Sequence, residues 1–491
     1  MLFVRKCYHE LFDIIAKLQI ADVDSARILL TGTPGIGKSA FLIYFIIRYL
    51  YESTRAPDGR MRDVLIFQPA EAEDEFYAFA GPNIVRMGTY SDFEAFFLLP
   101  TTWYLVDWKS KPVSKPAATL FALSPDSIWD EEFKDFEKVL AMNFCMPVWT
   151  YDELEECRCH VFPELSNRSL NYIYDRVGGV ARSCLELPTM ALRLGFDEEQ
   201  AHERGLRRLQ DAFKRVDDPL YVLRVQEESL LHKVPDSTKT YQDGWHRVWA
   251  SAYVIDTFVN MIDTRSANDM NRRVMERLAK NDEDDTLEKI FECYVRHLFF
   301  TRGGLELRKR RLYGPSDKRK ECGSQQDYTI PKELEHKPFS GITDFSIPKN
   351  DIGTLWTPGP NFPCVDLILT SNSLFHITIS PDRPVKQEPL RKILEKLPAK
   401  EKISLYFVVP EKIFETFTFQ NYRNEQGKKS EKVPKPIKML EQWVLGVRLK
   451  DGLSKENAEQ PEVQGMRERT ASEDDMRQPR RSKRKRTKRT K

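Results

Sequence analysis

The sequence predicts an α/β protein with a parallel sheet and a helical lid, then a second α/β unit, then a basic tail without a fold. Three observations carry that prediction. An apolar strand pattern over residues 27–30 runs into a glycine-rich turn and then an apolar helix pattern over 40–50. Two apolar stretches, 365–369 and 374–379, flank the short polar turn Thr370-Ser371-Asn372-Ser373, as in a hairpin. Residues 480–491 hold nine Lys/Arg and no acid.

The 491 residues suggest two or three domains. A hydrophobic share of 41% supplies real cores and a charged share of 31% a wet surface, which argues against whole-chain disorder. The longest apolar run, 41–47, ends at Arg48, far short of the roughly 20 residues a membrane helix needs, so no membrane partner is expected. The net charge of +2 hides an asymmetry: 76 basic residues less the nine of the tail leave 67 against 74 acidic ones, a net of −7. The body is mildly acidic, and the tail reads as an address or a polyanion-binding arm. Eight cysteines are too sparse for a disulfide scaffold, so free thiols in a reducing compartment are expected. Cys157, Cys159 and His160 form one Cys-x-Cys-His without a second pair, which is weak support for zinc. Glu10 and Asp13 interrupt any apolar leader, and no conventional signal peptide is visible.

Taken in order, residues 1–20 place Leu11, Ile14, Ile15 and Leu18 on one helical stripe. Strands are expected at 27–30, 64–67, 103–106 and 118–123, alternating with helices. This unit is bounded at 1–185. Residues 186–285 are charged and helical in pattern, a lid or spacer. A third unit, 286–450, opens with a helix over 287–300, continues through Gly303-Gly304 and a Pro/Gly-rich stretch to the hairpin, and adds a helix at 389–397 and a strand at 404–409. Apolar content falls away over 451–491, which is expected to be disordered.

Gly32-Thr33-Pro34-Gly35-Ile36-Gly37-Lys38-Ser39 satisfies G-x-x-x-x-G-K-[ST] between a strand and a helix. Its glycines let successive amides point at phosphate oxygens. Lys38 supplies a charge for the β- and γ-phosphates, Ser39 a hydroxyl for Mg²⁺, and the next helix its positive N-terminus. ATP with Mg²⁺ is the expected ligand. Trp103-Tyr104-Leu105-Val106-Asp107 is an apolar strand ending in a carboxylate suited to the same ion. Trp108 follows where many ATPases carry a water-activating Glu, so binding is better supported than hydrolysis. Ser124, after the next strand, is placed to sense the γ-phosphate, and Gly178-Gly179-Val180-Ala181-Arg182 to deliver Arg182; a strand-end turn and a helix-capping glycine pair are the bland alternatives.

Asp366 on the first hairpin strand, with His376 and Thr378 alternating on the second, matches the layout of a PD-(D/E)xK nuclease core, where acids bind Mg²⁺. Glu292 on the preceding helix is a further acid. His376 replaces the usual Glu or Asp, Thr378 replaces the usual Lys, and Lys386 lies nearby off the motif position. Both an active nuclease and a nuclease-shaped domain without cleavage therefore stay open.

Leu2-Phe3-Val4-Arg5-Lys6-Cys7-Tyr8, with the glycine-rich loop and Ala40-Phe41-Leu42-Ile43-Tyr44 after it, resembles the NTPase of Crinkler effectors and of the related retrotransposon hot spot proteins. The resemblance aligns 104–107 with the Walker B strand and 178–182 with a Gly-Gly-x-x-Arg element. It sets Glu292, Asp366 and the His376–Thr378 strand against a restriction-endonuclease-like module. It covers roughly residues 1–450 and is strongest over the first fifty. It implies a fungal or oomycete effector of symbiosis or virulence, secreted without a conventional signal and acting in the host nucleus. The expected partners are ATP, DNA and host nuclear proteins, with importin on the basic tail. The family's Leu-x-Leu-Phe-Leu-Ala-Lys-like translocation motif is not seen, so action in the producing cell's own cytoplasm or nucleus is the alternative. A second alternative is a nucleotide-gated interaction protein that does not cleave.

Overall fold

The structure is a computed structural model that describes residues 2–20, 27–53, 64–70, 74–81, 83–107, 115–123, 142–215, 227–236, 240–242, 244–280, 285–314, 326–339, 345–347, 353–359, 362, 364–370, 372–397, 402–424 and 433–448. Ser124, Trp108 and the tail 451–491 lie outside the described residues.

The first sheet is built on β1 (Arg27–Thr31), β2 (Leu65–Gln68), β3 (Phe76–Phe79), β4 (Val85–Gly88), β5 (Trp103–Val106), β6 (Ala118–Ala122) and β7 (Met142–Cys145), in the order β4-β3-β2-β5-β6-β1-β7. The five strands from β2 to β7 run parallel, and β3 and β4 add an antiparallel hairpin at one edge. Trp103, Leu105, Ile28 and Leu30 are fully buried. Helices cover both faces of such strands, so they read as continuous apolar runs. Helix α1 (Lys6–Ile20) packs on α2 (Lys38–Ser53) through Phe12 and Phe45, whose ring centroids lie 4.8 Å apart. Phe45 then meets Trp103 of β5 edge-on at 5.0 Å. Helix α3 (Tyr90–Phe97) sets Phe97 against Tyr104 at 4.9 Å on the other face.

Beyond β7, α4 (Tyr151–Val161) starts on a capping box formed by Thr150 and Glu153. Helix α5 (Asn167–Val177) leads to the glycine pair, then a π-helical turn (Arg182–Glu186), α6 (Leu187–Arg193) and α7 (Glu198–Lys214). The expectation of helix throughout 186–285 needs correction. An antiparallel pair, β8 (Leu231–Pro235) and β9 (Trp245–Trp249), interrupts it before α8 (Ala252–Met261) and α9 (Thr264–Ala279). The stretch is polar enough to read as a charged helix, but Trp245, Arg247 and Trp249 alternate with His246 and Val248 at the strand period.

Helix α10 (Asp285–Thr301) opens the second α/β arrangement. Its mixed sheet uses β10 (Glu306–Leu312), β11 (Gln326–Thr329), β12 (Glu335–Phe339), β13 (Thr354–Pro358), β14 (Leu367–Leu369), β15 (Ser373–Ile377), β17 (Ser404–Pro410) and β19 (Glu441–Val447), while β16 (Val385–Lys386) and β18 (Tyr422–Arg423) form a separate parallel pair. The order is β11-β10-β19-β17-β15-β14-β13-β12. The expected hairpin is β14–β15, antiparallel, and β15 runs parallel to β17, with α11 (Gln387–Lys396) between them in sequence. Asp366 and Thr378 fall just outside the strands expected to hold them. Their amides still extend the ladders, donating to Phe375 O at 2.8 Å and Val408 O at 3.0 Å. One apolar core runs from Tyr8 and Phe45 through Trp249, Phe258 and Phe291 to Phe375 and Leu445, and a second lies on the far face of this sheet. Among the described residues no helix is long and apolar enough to cross a membrane.

Candidate nucleotide site and a second ionic cluster

The glycine-rich loop leaves the end of β1 and closes on the first turn of α2. Lys38 folds back over it, donating to Gly32 O at 2.7 Å and Thr33 O at 3.1 Å. Ser39 Oγ donates to Asp107 Oδ1 at 2.9 Å, so the hydroxyl and the carboxylate expected to share a metal are side by side. The strand topology causes this, since β5 lies one strand (β6) away from β1 and runs parallel to it. These are hard oxygen donors of the kind that hold Mg²⁺ with phosphate oxygens and water. Asp107→Asn is expected to lower ATP affinity measured with Mg²⁺ to the value seen in EDTA; an unchanged Mg²⁺ effect would remove Asp107 from the metal site.

Side chains from far along the chain set the loop's shape. Tyr8 OH donates to Gly37 O at 2.8 Å, and Trp149 Nε1 donates to Ile36 O at 2.7 Å. Gly37 has φ +101°, and a Cβ there would lie 2.4 Å from the Tyr8 oxygen, so this position admits glycine alone. Ile36 anchors the loop in the core, fully buried. The Arg182 amide donates to Gly35 O at 3.1 Å, which brings the predicted glycine–arginine element onto the phosphate loop. Arg182 pairs loosely with Glu186 at 3.5 Å. Arg5, buried, donates to Pro147 O, Val148 O and Glu153. Phe3 stacks on Trp149 with centroids 5.5 Å apart.

The loop and the side chains of Tyr8, Trp149 and Arg182 border a cavity of about 410 Å³. Pro34, Gly35, Gly37, Lys38, Ser39 and Asp107 form its polar floor. Leu2, Phe3, Trp149, Val161, Phe162 and Leu185 form an apolar wall suited to a flat heterocycle, with Glu186 and Arg208 at its rim. Burial brings the Lys38 ammonium down to about 8; Glu228 and Cys145 oppose that, and the charges of Lys233 and Arg182 add to it. Trp149 and Arg208 were not legible as site residues, because no local motif contains them, and Tyr8 stood in the motif of residues 2–8 without a role. Cys157 faces this interior while Cys159 is exposed on the same helix.

The second set of predicted residues also gathers, but around cations. On α10, Glu292 accepts from Lys289 Nζ at 3.1 Å and from Arg296 Nε at 3.2 Å. Asp366 Oδ2 accepts from the Ile377 amide at 2.7 Å and lies 3.1 Å from His376 Nδ1. Arg383 donates to His376 Nε2 at 3.4 Å and pairs with Glu288 at 3.3 Å. Burial pushes Asp366 up, but His376, Arg296 and the Ile377 amide together hold it well below the usual carboxylate range. Burial disfavours the Lys289 charge, yet Glu292 and Glu288 hold its pKa above the ordinary lysine value. Thr378 is fully buried and its Oγ1 accepts from the Ser380 amide at 3.1 Å. Three acids thus meet three basic side chains and one imidazole. Among the described residues no group of three or more His, Cys, Asp or Glu side chains is arranged to hold a metal ion. As they stand, these residues do not fit Mg²⁺.

No protein-family model matches the chain. Crinkler effector protein 15 of Phytophthora infestans is 23% identical over 409 residues, covering 79% of this chain and 60% of that protein. Crinkler effector protein 16 of the same organism is 30% identical over 164 residues, covering 32% of this chain and 24% of its own length. The chain therefore spans about three fifths of one curated relative and a quarter of the other. Both relatives bear out the resemblance drawn from the sequence. Among solved structures, the Thermotoga maritima RuvB Holliday junction branch migration motor overlaps 62% of this chain and 89% of its own, at 12% identity and a TM-score of 0.25. AMPPCP-bound DnaA from Aquifex aeolicus overlaps 45% and 72%, at 14% identity and a TM-score of 0.26. The site described above rests on its own geometry.

Proposed function

We propose, from the chain's relationship to the Crinkler effectors, that it is an effector whose first unit binds ATP with Mg²⁺ and acts as a nucleotide-gated switch in a host nucleus. The observation that carries this reading is the Ser39–Asp107 hydrogen bond at 2.9 Å beside a loop curled by glycine. Ser39 and Asp107 would hold Mg²⁺, which would screen the phosphate charge when bound. Lys38 would exchange the two loop carbonyls for phosphate oxygens, and Arg182 would reach the nucleotide from the lid side. With Trp108 in place of a Glu after Asp107, turnover is expected to be slow. Isothermal calorimetry with ATP and Mg²⁺ tests the reading, and absence of binding would end it.

The second unit, residues 286–450, is read as nuclease-like and DNA-engaging. The pairing of Glu292 with Lys289 and Arg296 favours engagement without cleavage, because a divalent ion would have to displace cations already seated there. A plasmid-nicking assay with Mg²⁺ or Mn²⁺ is expected to show no activity in wild type or in Asp366→Ala. Nicking by wild type that Asp366→Ala abolishes would restore the nuclease. Residues 480–491 are proposed as the importin-read nuclear address, so a fluorescent fusion lacking them is expected to leave the nucleus; continued nuclear accumulation would refute the address.

A further inference from the structure

Two ammonium groups flank the phosphate loop, Lys38 half-buried and Lys233 buried, and only Lys38 belongs to its motif. Lys233, in β8, is 4% exposed. Its amide donates to Thr33 Oγ1 at 2.9 Å, and its carbonyl accepts from the same hydroxyl at 3.3 Å. Its Nζ donates to Thr31 Oγ1 at 3.2 Å and stands 3.7 Å from the centre of the Trp245 ring. The hairpin therefore grips the loop by main chain and side chain at once, from 200 residues away in sequence.

A hydroxyl and an aromatic face are modest compensation for an ammonium taken out of water. Lys38, half-buried on the cavity floor, is held by two carbonyls. Neither lysine makes an ion pair within the described residues. Burial lowers the pKa of Lys233 to about 8; Cys145 and Glu228 oppose that, and the charge of Arg247 adds to it. Two cations raised to the same loop, with so little countercharge, make a site that gains by admitting a polyanion. The buried Lys233 charge is screened less than a surface charge would be.

Resting on the nucleotide reading above, we infer that Lys233 is a second positive charge of the phosphate site, a positioning residue that favours ligands in proportion to their phosphate charge. It acts through the field it sets behind the loop and through its grip on Thr31 and Thr33. It makes no demand on the base.

The test is calorimetry with ATP, ADP and adenosine on Lys233→Gln, Lys233→Met and Lys233→Arg, each first shown to be folded by its thermal transition. Two neutral variants are used because one keeps a polar end for Thr31 and the other removes an unpaired buried charge, so either suffices if the other fails to fold. The neutral variants are expected to weaken ATP about tenfold, ADP less, and adenosine not at all, with Arg restoring most of the loss. Unchanged ATP affinity in a folded neutral variant would overturn the inference. So would an equal loss for all three ligands, which would mark Lys233 as packing alone. Failure of wild type to bind ATP is a different result, and it would overturn the nucleotide site itself together with this extension of it.

Discussion

Lys38→Ala is expected to abolish the stabilisation that ATP and Mg²⁺ confer on the folded chain. The ammonium sits over the loop at 2.7 Å from Gly32 O and 3.1 Å from Thr33 O, where an incoming phosphate would meet it. Removing one partner of a desolvated charge pair costs about 2–5 kcal/mol, which is roughly thirtyfold to several thousandfold in affinity. In thermal unfolding, wild type at a hundred times its dissociation constant gains about 2.7 kcal/mol. The variant is expected to gain none at the same concentration. Without nucleotide it should be as stable as wild type or slightly more so, since the substitution removes a half-buried cation that forms no ion pair among the described residues. A nucleotide-dependent shift of wild-type size in the variant would take the loop out of the binding site.

Gly179→Ala is expected to destabilise the fold by about 4 kcal/mol or more, the range reserved for forced overlaps in a packed interior. A Cβ at this position would lie 2.0 Å from Trp149 O and 2.8 Å from Trp149 N. That strand-like approach is fixed by the Trp149 amide, which donates to Gly179 O at 2.9 Å. Trp149 cannot retreat freely, because its indole donates to Ile36 O and stacks on Phe3. The damage therefore passes directly to the phosphate loop, and nucleotide affinity should fall along with stability. Urea unfolding gives the measurement; a loss under 1 kcal/mol would mean that the backbone approach is looser than described.

The glycine pair shows how the sequence and the structure divide the information. Its presence was legible, and so were two roles for it, a helix cap or a route for Arg182 to the nucleotide. The cap is seen, with Gly178 ending α5, and the Arg182 amide docks on Gly35 O, beside the proposed nucleotide site. What the sequence hid was Trp149, the partner that makes glycine necessary. The loop, β1 and Asp107 were readable because a phosphate cradle is a dense local pattern and a Walker B strand is a short apolar run ending in one acid. Arg5 and Tyr8 stood in the quoted motif of residues 2–8 without a role, because their partners lie across long sequence gaps, and nothing local marks Lys233.

The second cluster was legible in its members but not in its charge balance. Glu292, Asp366 and His376 do come together, yet Lys289 and Arg296 sit three residues before and four residues after Glu292 on one helix. Side chains at those spacings share a helix face, so the neutralising pair was present in the pattern and could have been weighed there. The β8–β9 pair had a similar signal, an alternation within five residues, outweighed by the charged stretch around it.

In the proposed site, main-chain amides past β1 wrap a triphosphate, and Ser39 and Asp107 share its metal ion. A crystal structure of the chain with a non-hydrolysable ATP analogue and Mg²⁺ tests it most directly. The expected result is the β- and γ-phosphates inside the loop of residues 32–39, the ion between Ser39 and Asp107, Lys38 moved from Gly32 O onto a phosphate oxygen, and the base against Phe3 and Phe162. An analogue bound elsewhere, or phosphates outside the loop with Lys38 still on its carbonyls, would contradict it.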